Sequence, residues 1–222
     1  MMESTQMAKS STQPNDSVRK LSRFTSAEEA QALLGRLVVI VEGVSDQVAL
    51  ESLAQRLGHS LDANDVAVVA IQGAHSIGAF VDLFGPQGFD VRLAGLCDAR
   101  EEGNFQRALE RAGLGANLSR SDMELLGFYV CTADLEDELI RALGPASVEK
   151  VIEDEGDLRS FRSFQRQPAQ LGRTVEAQLR RFMGTRSGRK AQYARALVNA
   201  LDLTRVPRPL DLLLAHFDKR SG

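Results

Sequence analysis

Four short apolar runs alternate with amphipathic segments between residues 37 and 143, and this order constrains the fold more than any other feature of the sequence. Continuous apolar runs are typical of strands that are covered on both faces of a sheet. A repeated strand–helix order indicates a largely parallel sheet with right-handed crossovers. The predicted strands are Leu37–Val41, Val66–Ile71, Val91–Cys97 and Gly127–Thr132. We therefore expect an α/β fold with a mostly parallel four-stranded sheet flanked by helices.

Helical periodicity fills the intervals between the strands and then continues alone. In the first interval, Leu50, Leu53 and Leu57 fall on one helical face, and Gly58 is a suitable stop. The helices predicted between strands are Asp46–Leu57, Ile77–Phe84, Phe105–Ala112 and Asp134–Leu143. Beyond Pro145 the predicted helices are Ser147–Glu155, Leu158–Gln165, Val175–Met183, Lys190–Ala200 and Leu210–Lys219. The expected architecture is a sheet domain followed by a C-terminal helical extension.

The 222 residues divide into three predicted parts. Residues 1–23 are rich in Ser, Gln, Thr and Asn, and we expect a disordered tail because they bury too little apolar surface to offset ordering. Residues 24–144 form the α/β domain, and residues 145–222 form a basic helical subdomain. No apolar stretch is long enough to span a membrane, and no signal-peptide pattern opens the chain, so we expect a cytoplasmic protein.

Acidic residues cluster at the predicted strand ends. Glu42, Asp98 and Asp134 lie at or just beyond three of these ends, and Asp46 and Glu136 lie within one helical turn of them. Ligands of open parallel sheets bind beyond the carboxyl ends of the strands. Carboxylate oxygens suit Mg²⁺ and Mn²⁺, and two such ions can clamp the attacking and leaving oxygens of a phosphodiester. The alternative for each acid taken singly is helix capping. Glu42 precedes Gly43 and comes too early to cap the following helix.

Several segments resemble the Toprim domain in order. VVIVEGVSD resembles its first motif, and LAGLCDARE resembles the second, a strand that ends in Asp-x-Asp. TADLEDELIRAL, SGRKAQYARALVNAL and VPRPLDLLL resemble the C-terminal nuclease domain of overcoming lysogenization defect (OLD) endonucleases. The resemblance covers about residues 35–217 and implies a Rossmann-like Toprim sheet. It also implies an ATPase domain ahead of the Toprim domain. We expect this chain to lack that domain and to act alone or with an ATPase supplied by another chain.

The resemblance implies a role for each matching residue. Glu42 would be a metal ligand or general acid/base, and Asp46 and Asp98 would be metal ligands. Glu136 would support a second metal, and Lys190 would contact the scissile phosphate. Asp134 is a possible supporting acid.

The second motif departs from the family pattern at Arg100, which stands where the second acid of Asp-x-Asp is expected. A guanidinium cannot ligate a metal ion. Glu101 or Glu102 could substitute for the missing acid, or Arg100 could contact phosphate directly with one metal lost. A third alternative is a degenerate site that binds nucleic acid without cutting it.

Charge changes sign abruptly in the C-terminal third. Nine acids and two bases lie between Asp134 and Asp157, whereas ten bases and one acid lie between Arg159 and Arg195. Nine of those bases are arginines, whose planar fork suits phosphate, so we expect a nucleic-acid surface whose affinity falls with salt. The alternative is a solvated helical face. The candidate residues are Arg180, Arg181, Arg186, Arg189, Lys190 and Arg195.

The leading function is a Mg²⁺- or Mn²⁺-dependent nuclease that hydrolyses DNA with one or two ions. A non-catalytic nucleic-acid-binding or scaffold module and an RNA-processing Toprim nuclease remain as alternatives. The loop GTRSGRKA lacks the spacing of a phosphate-binding P-loop, so no ATP site is expected in this chain. DNA is the expected partner, without a membrane, and a separate ATPase subunit and a homodimer are left open.

Overall fold

The computed structural model describes residues 31–71, 73, 76–185 and 188–217. Its strands are β1 (Leu37–Val41), β2 (Val66–Ala70), β3 (Arg92–Cys97) and β4 (Phe128–Val130). They form one sheet in the order β2-β1-β3-β4, in which every neighbouring pair is parallel. The predicted α/β fold with a parallel four-stranded sheet is therefore confirmed. The predicted disordered tail, residues 1–23, lies outside the described residues.

Ten α-helices lie within the described residues. Those associated with the strands are α1 (Val44–Arg56), α2 (Ile77–Phe84), α3 (Glu102–Arg111), α4 (Arg120–Leu125) and α5 (Leu135–Leu143). The helices that follow are α6 (Pro145–Asp154), α7 (Leu158–Gln165), α8 (Val175–Met183), α9 (Arg189–Ala200) and α10 (Arg208–Phe217). All the helices predicted from periodicity are present, and the predicted end of the last one, at residues 218 and 219, lies outside the described residues.

Helix α4 and strand β4 differ most from the sequence prediction. Helix α4 was not predicted, because six residues are too few for a periodic pattern. Its start does carry a signal, since the Ser119 backbone N–H donates to the Asp122 carboxylate at 2.8 Å in a capping box. Strand β4 is shorter than predicted because its end leaves the ladder. The Thr132 N–H donates to the Glu138 carboxylate at 2.6 Å instead of to a neighbouring strand.

Alternate residues of β1 enter two separate hydrophobic cores, as a strand covered on both faces requires. Val38 and Ile40 pack with the buried side chains of α2 and α3. Val39 and Val41 pack with α1, α5 and the helices that follow residue 144, including Tyr193 of α9. The predicted division at residues 144 and 145 therefore separates two kinds of secondary structure that share one core.

Helices α1 and α9 pack against each other and run in the same direction. At their C-terminal ends, Arg56 Nη1 donates to the backbone carbonyl oxygens of Val198 at 2.5 Å and of Leu201 at 2.8 Å. Their N-terminal ends lie near the carboxyl edge of the sheet, where Asp46 and Lys190 interact electrostatically. Helix N-termini carry partial positive charge, so this edge favours anions. In the described part of the chain, none of the helices combines the length and apolar character that a membrane crossing requires.

Candidate active site

Glu42 and Asp98 follow two neighbouring strands at the point where the strand order changes direction. After β1 the chain places β2 on one side and then β3 on the other. Such a switch point opens a crevice beyond the strand ends. The Asp98 backbone N–H donates to Glu42 Oε1 at 2.8 Å, which fixes the Glu42 carboxyl over the end of β3. The sheet therefore brings together two acids that are far apart in the chain.

Asp46 lies in the first turn of α1 and does act as a helix-capping residue. Its Oδ2 accepts a hydrogen bond from the Gly43 N–H at 2.9 Å. Helix capping, the alternative to a metal-binding role, therefore does apply to Asp46. The same carboxyl also interacts electrostatically with Glu136 and Glu42, so it belongs to the acidic cluster as well.

Asp134 and Glu136 are held by cations from the C-terminal helices. Asp134 is the N-cap of α5, where its Oδ1 accepts from the Asp137 N–H at 2.9 Å, and it also pairs with Arg180 of α8. Glu136 Oε1 lies 3.1 Å from Lys190 Nζ at the start of α9. Asp134 and Glu136 are both 6 % exposed, so these pairs close the acidic cluster on the side of the helical extension.

Burial and mutual repulsion raise the pKa values of the central acids. The pKa of Asp46 rises to about 7, through burial and then through Glu136. The pKa of Asp98 also rises to about 7, through burial and then through Glu42. Burial likewise raises the pKa of Glu42, although the hydrogen bond from Asp98 opposes the shift. Ionisation of these carboxyls is therefore disfavoured, because the nearby cations only partly offset burial and the repulsion between the acids.

In Lys190, attraction to nearby acids outweighs the effect of burial on the pKa. Burial opposes its charge, but attraction to Glu136, Asp46 and Asp134 outweighs burial and raises the pKa of the ammonium group. Lys190 therefore remains protonated beside the acids, although its side chain is 54 % exposed.

The five acids (Glu42, Asp46, Asp98, Asp134 and Glu136) match a hard divalent cation in donor chemistry. Among the described residues, however, no group of three or more His, Cys, Asp or Glu side chains is arranged to hold a metal ion. Four of the five acids, Glu42, Asp46, Asp134 and Glu136, are turned instead toward backbone N–H groups, Arg180 or Lys190. Metal binding would require some of these side chains to rotate out of their present contacts.

The two acids considered as substitutes for the missing one at Arg100 have different surroundings. Glu102 pairs with Arg120 through Nε at 2.9 Å and through a second contact at Nη2, so its carboxylate is occupied. Glu101 raises the pKa of Glu42 by repulsion, which places its charge nearer the cluster. Arg100 is exposed and lowers the pKa of Glu42. The repulsion between Glu101 and Glu42 therefore favours Glu101 over Glu102 as a supporting acid.

The predicted nucleic-acid residues fall into separate groups. Arg181 and Arg195 are exposed and have no ion pair among the described residues, whereas Arg180 and Lys190 are paired with acids of the cluster. Arg186 lies outside the described residues. Arg189 does not suit the predicted role, since it is 5 % exposed and cannot present its guanidinium to a ligand.

Arg189 instead stabilises the helical extension from within. Its Nη1 donates to Thr185 Oγ1 at 2.9 Å, its Nη2 lies 3.1 Å from Asp157 Oδ2, and its guanidinium lies 4.4 Å from the centre of the Phe182 ring. A signal for this role exists in the sequence. Arg189 is spaced four and eight residues from Tyr193 and Leu197, which puts it on the buried face of α9.

Comparison with known families identifies the sheet region. A sequence model of the overcoming lysogenization defect protein-like Toprim domain matches residues 33–99, which include Glu42, Asp46 and Asp98. Residues 33–99 therefore match an OLD-like Toprim domain. The matched part ends before Asp134, Glu136 and Lys190, so their roles stay predictions.

Solved structures extend the likeness in fold beyond residues 33–99. The C-terminal region of the Burkholderia pseudomallei OLD protein has a TM-score of 0.60 at 22 % identity, covering 82 % of this chain and 96 % of that one. The C-terminal region of the Xanthomonas campestris pv. campestris OLD protein, phased with mercury, has a TM-score of 0.62 at 22 % identity, covering 82 % and 94 %. At this identity the likeness establishes the fold. No curated protein matches the chain in sequence.

Proposed function

We propose that this OLD-like Toprim chain is a Mg²⁺- or Mn²⁺-dependent nuclease that hydrolyses phosphodiester bonds in DNA. The observation that carries the proposal is the convergence of Glu42, Asp46 and Asp98 at the switch point of the sheet, with Lys190 opposite them. Structural capping accounts for Asp46 and Asp134, but it gives no reason for Glu42 to lie over the end of β3.

The proposed cofactor would be held by these acids once some of them rotate out of their present contacts. One or two divalent ions held by Glu42, Asp46 and Asp98, with Glu136 and Asp134 in support, would activate water and stabilise charge on the phosphate oxygens.

Glu42 and Lys190 have the roles closest to the reaction. Glu42 Oε1 is engaged with the Asp98 N–H, which orients the carboxyl and leaves Oε2 outside that bond. As general base, Glu42 Oε2 would take a proton from the attacking water. The Lys190 ammonium can turn from Glu136 toward a non-bridging phosphate oxygen and stabilise the charge that grows there.

The surface beside the acids suits a polyanion. Arg181 on α8 and Arg195 on α9 are exposed bases without ion pairs in the described structure. Their helices also supply Arg180 and Lys190, so a nucleic-acid backbone bound here would pass the cluster. Arg186, which lies outside the described residues, stays a predicted contributor.

Metal-dependent nicking of supercoiled plasmid tests the proposal. The wild-type protein is compared with Glu42→Gln and Asp98→Asn in Mg²⁺ and in Mn²⁺. Glu153→Gln is the matched control, because this surface carboxylate on α6 pairs only with Lys150. We expect nicking in the wild type and the control, and a loss of at least 100-fold in both site variants. Equal nicking by Asp98→Asn would contradict the proposed site.

Binding without cleavage is the second candidate, and Arg100 favours it. This exposed guanidinium stands in place of an acid and acts electrostatically on Glu42. Salt-sensitive DNA binding with no cleavage in any divalent ion would support this candidate. A DNA oligonucleotide and an RNA oligonucleotide of the same sequence, assayed in parallel, test the RNA-processing alternative. A separate ATPase subunit and a homodimer stay predictions, and light scattering on the purified chain tests the latter.

A further inference from the structure

A second charged feature lies at the free edge of β4. A cleft of about 370 Å³ opens between α4, α5 and the start of α10. Four arginines line it: Arg120, Arg141, Arg205 and Arg208. None of them was among the residues predicted to bind nucleic acid. Three lie outside the basic segment Arg159–Arg195, and Arg141 lies in the acidic segment Asp134–Asp157.

Acids hold three of the four guanidiniums in place. Arg208 donates to both Glu124 oxygens at 2.7 Å each. Arg141 donates to Asp137 at 2.8 Å and pairs with Glu138 at 2.6 Å. Arg120 is held in the same way by Glu102. A guanidinium has five N–H donors, so each pair leaves donors unused, and a guanidinium already held loses little side-chain entropy when it binds a ligand.

Arg205 differs from the other three. It is exposed, and among the described residues its side chain has neither an ion pair nor a hydrogen bond, although its charge contributes to lowering the pKa of the exposed Asp202. It lies in the short segment before α10 and faces the same cleft. A structural role in fastening helices together accounts for the three paired arginines, but it does not account for Arg205.

The charges of the lining indicate the chemistry of a ligand. Two carboxylates, Glu124 and Glu138, line the cleft with the four arginines, whereas Glu102 and Asp137 hold their partners without lining it. The wall therefore carries more guanidiniums than acids. A group with several oxygens, which can accept from more than one guanidinium at once, fits this wall better than an apolar ligand or a cation. Phosphate has that chemistry.

The position of the cleft connects it with the candidate active site. Thr132 lines the cleft and comes two residues before Asp134, a span of about 7 Å in extended chain. A nucleic-acid strand whose scissile phosphate lies at the carboxylates could therefore reach the cleft within a few nucleotides. We propose that this cleft binds a backbone phosphate of the substrate strand, on the β4 side of the scissile bond. This inference rests on the proposed nuclease function.

Charge reversal at Arg205 tests the cleft with little risk to folding, because the side chain is exposed and unpaired. Arg205→Glu and Arg205→Ala are compared with Arg107→Glu, a matched control on α3. Arg107 is exposed, contacts Asn104 rather than an acid, and does not line the cleft. The probe is a fluorescent DNA oligonucleotide, titrated in EDTA at several NaCl concentrations. Thermal stability in inorganic phosphate and plasmid nicking in Mn²⁺ are measured on the same proteins.

We expect Arg205→Glu to raise the Kd for the oligonucleotide about tenfold and to lower the slope of log Kd against log salt by about one. Arg205→Ala should show a smaller change in the same direction, and Arg107→Glu should stay within about twofold of the wild type. If Arg205→Glu binds the oligonucleotide as tightly as the wild type does, and the wild type nicks plasmid, the proposal that the cleft binds a backbone phosphate is overturned. The nuclease proposal then still stands. A wild type that neither binds nor nicks DNA would instead overturn the nuclease proposal. Inorganic phosphate could stabilise the wild type but not Arg205→Glu, while oligonucleotide binding stays unchanged. This result would assign the cleft to free phosphate and overturn its assignment to the nucleic-acid backbone.

Discussion

Lys190 Nζ lies 3.1 Å from Glu136 Oε1, an ion pair that links the start of α9 to the first turn of α5. The Glu136 side chain is 8 % exposed and the Lys190 side chain 54 %, so the pair is partly screened by solvent. Removing the lysine would leave a buried acid without its cation, and this cost is larger than the value of the pair itself.

We expect Lys190→Met to lower the free energy of unfolding by about 1 kcal/mol in EDTA. Urea unfolding of Lys190→Met, Glu136→Gln and the double variant measures the coupling between the two residues. The double variant should be more stable than the sum of the single losses predicts. Strict additivity would mean that the two side chains do not interact in solution.

The raised pKa values predict how stability depends on pH. Asp46 and Asp98 have an ordinary pKa of 3.8, which rises to about 7 in the folded protein. Between these values the folded state binds more protons than the unfolded state, so stability decreases as pH rises from about 4 to 7. We expect the Tm of the metal-free protein to be lower at pH 8 than at pH 5.5.

Divalent ions should reverse that trend, because they bind the ionised carboxylates and compete with protons. Added Mn²⁺ should raise the Tm more at pH 8 than at pH 5.5, as measured by differential scanning fluorimetry. The double variant Asp46→Asn/Asp98→Asn is the control, and it should lose most of both effects. A pH profile that this variant leaves unchanged would assign the trend to groups other than Asp46 and Asp98.

The sequence predicts the acids at the strand ends, but it does not predict which strands are neighbours. The contact between Glu42 and the Asp98 N–H depends on the order β2-β1-β3-β4, which periodicity along the chain does not encode. The pairing of Asp134 with Arg180 depends on how α8 packs against α5, again a tertiary effect. The basic composition of the segment also led to the prediction that Arg189 binds nucleic acid. A count of basic residues does not distinguish an exposed guanidinium from a buried one.

Arg189 and Arg181 should therefore have opposite effects when each is replaced by methionine. Arg189→Met removes the partner of Asp157 and the contact with Phe182, and we expect a loss of about 2 kcal/mol of stability. Arg181 is exposed, so Arg181→Met should change stability by less than about 0.5 kcal/mol and weaken DNA binding instead. Urea unfolding and oligonucleotide titration on both variants measure the two effects. Weakened DNA binding by a fully folded Arg189→Met would contradict its structural role.

Asp46 combines a capping role with a proposed metal-binding role, and two substitutions separate them. Asn retains an oxygen that can accept from the Gly43 N–H, whereas Ala does not. In EDTA at pH 8 we expect Asp46→Asn to be at least as stable as the wild type, since it removes a crowded negative charge. Asp46→Ala should be about 1 kcal/mol less stable than Asp46→Asn, because it loses the cap. Both variants should lose Mn²⁺ affinity, as measured by calorimetric titration, together with plasmid nicking. Full Mn²⁺ affinity in Asp46→Asn would mean that Asp46 acts only as a helix cap and that Glu42 and Asp98 bind the metal without it.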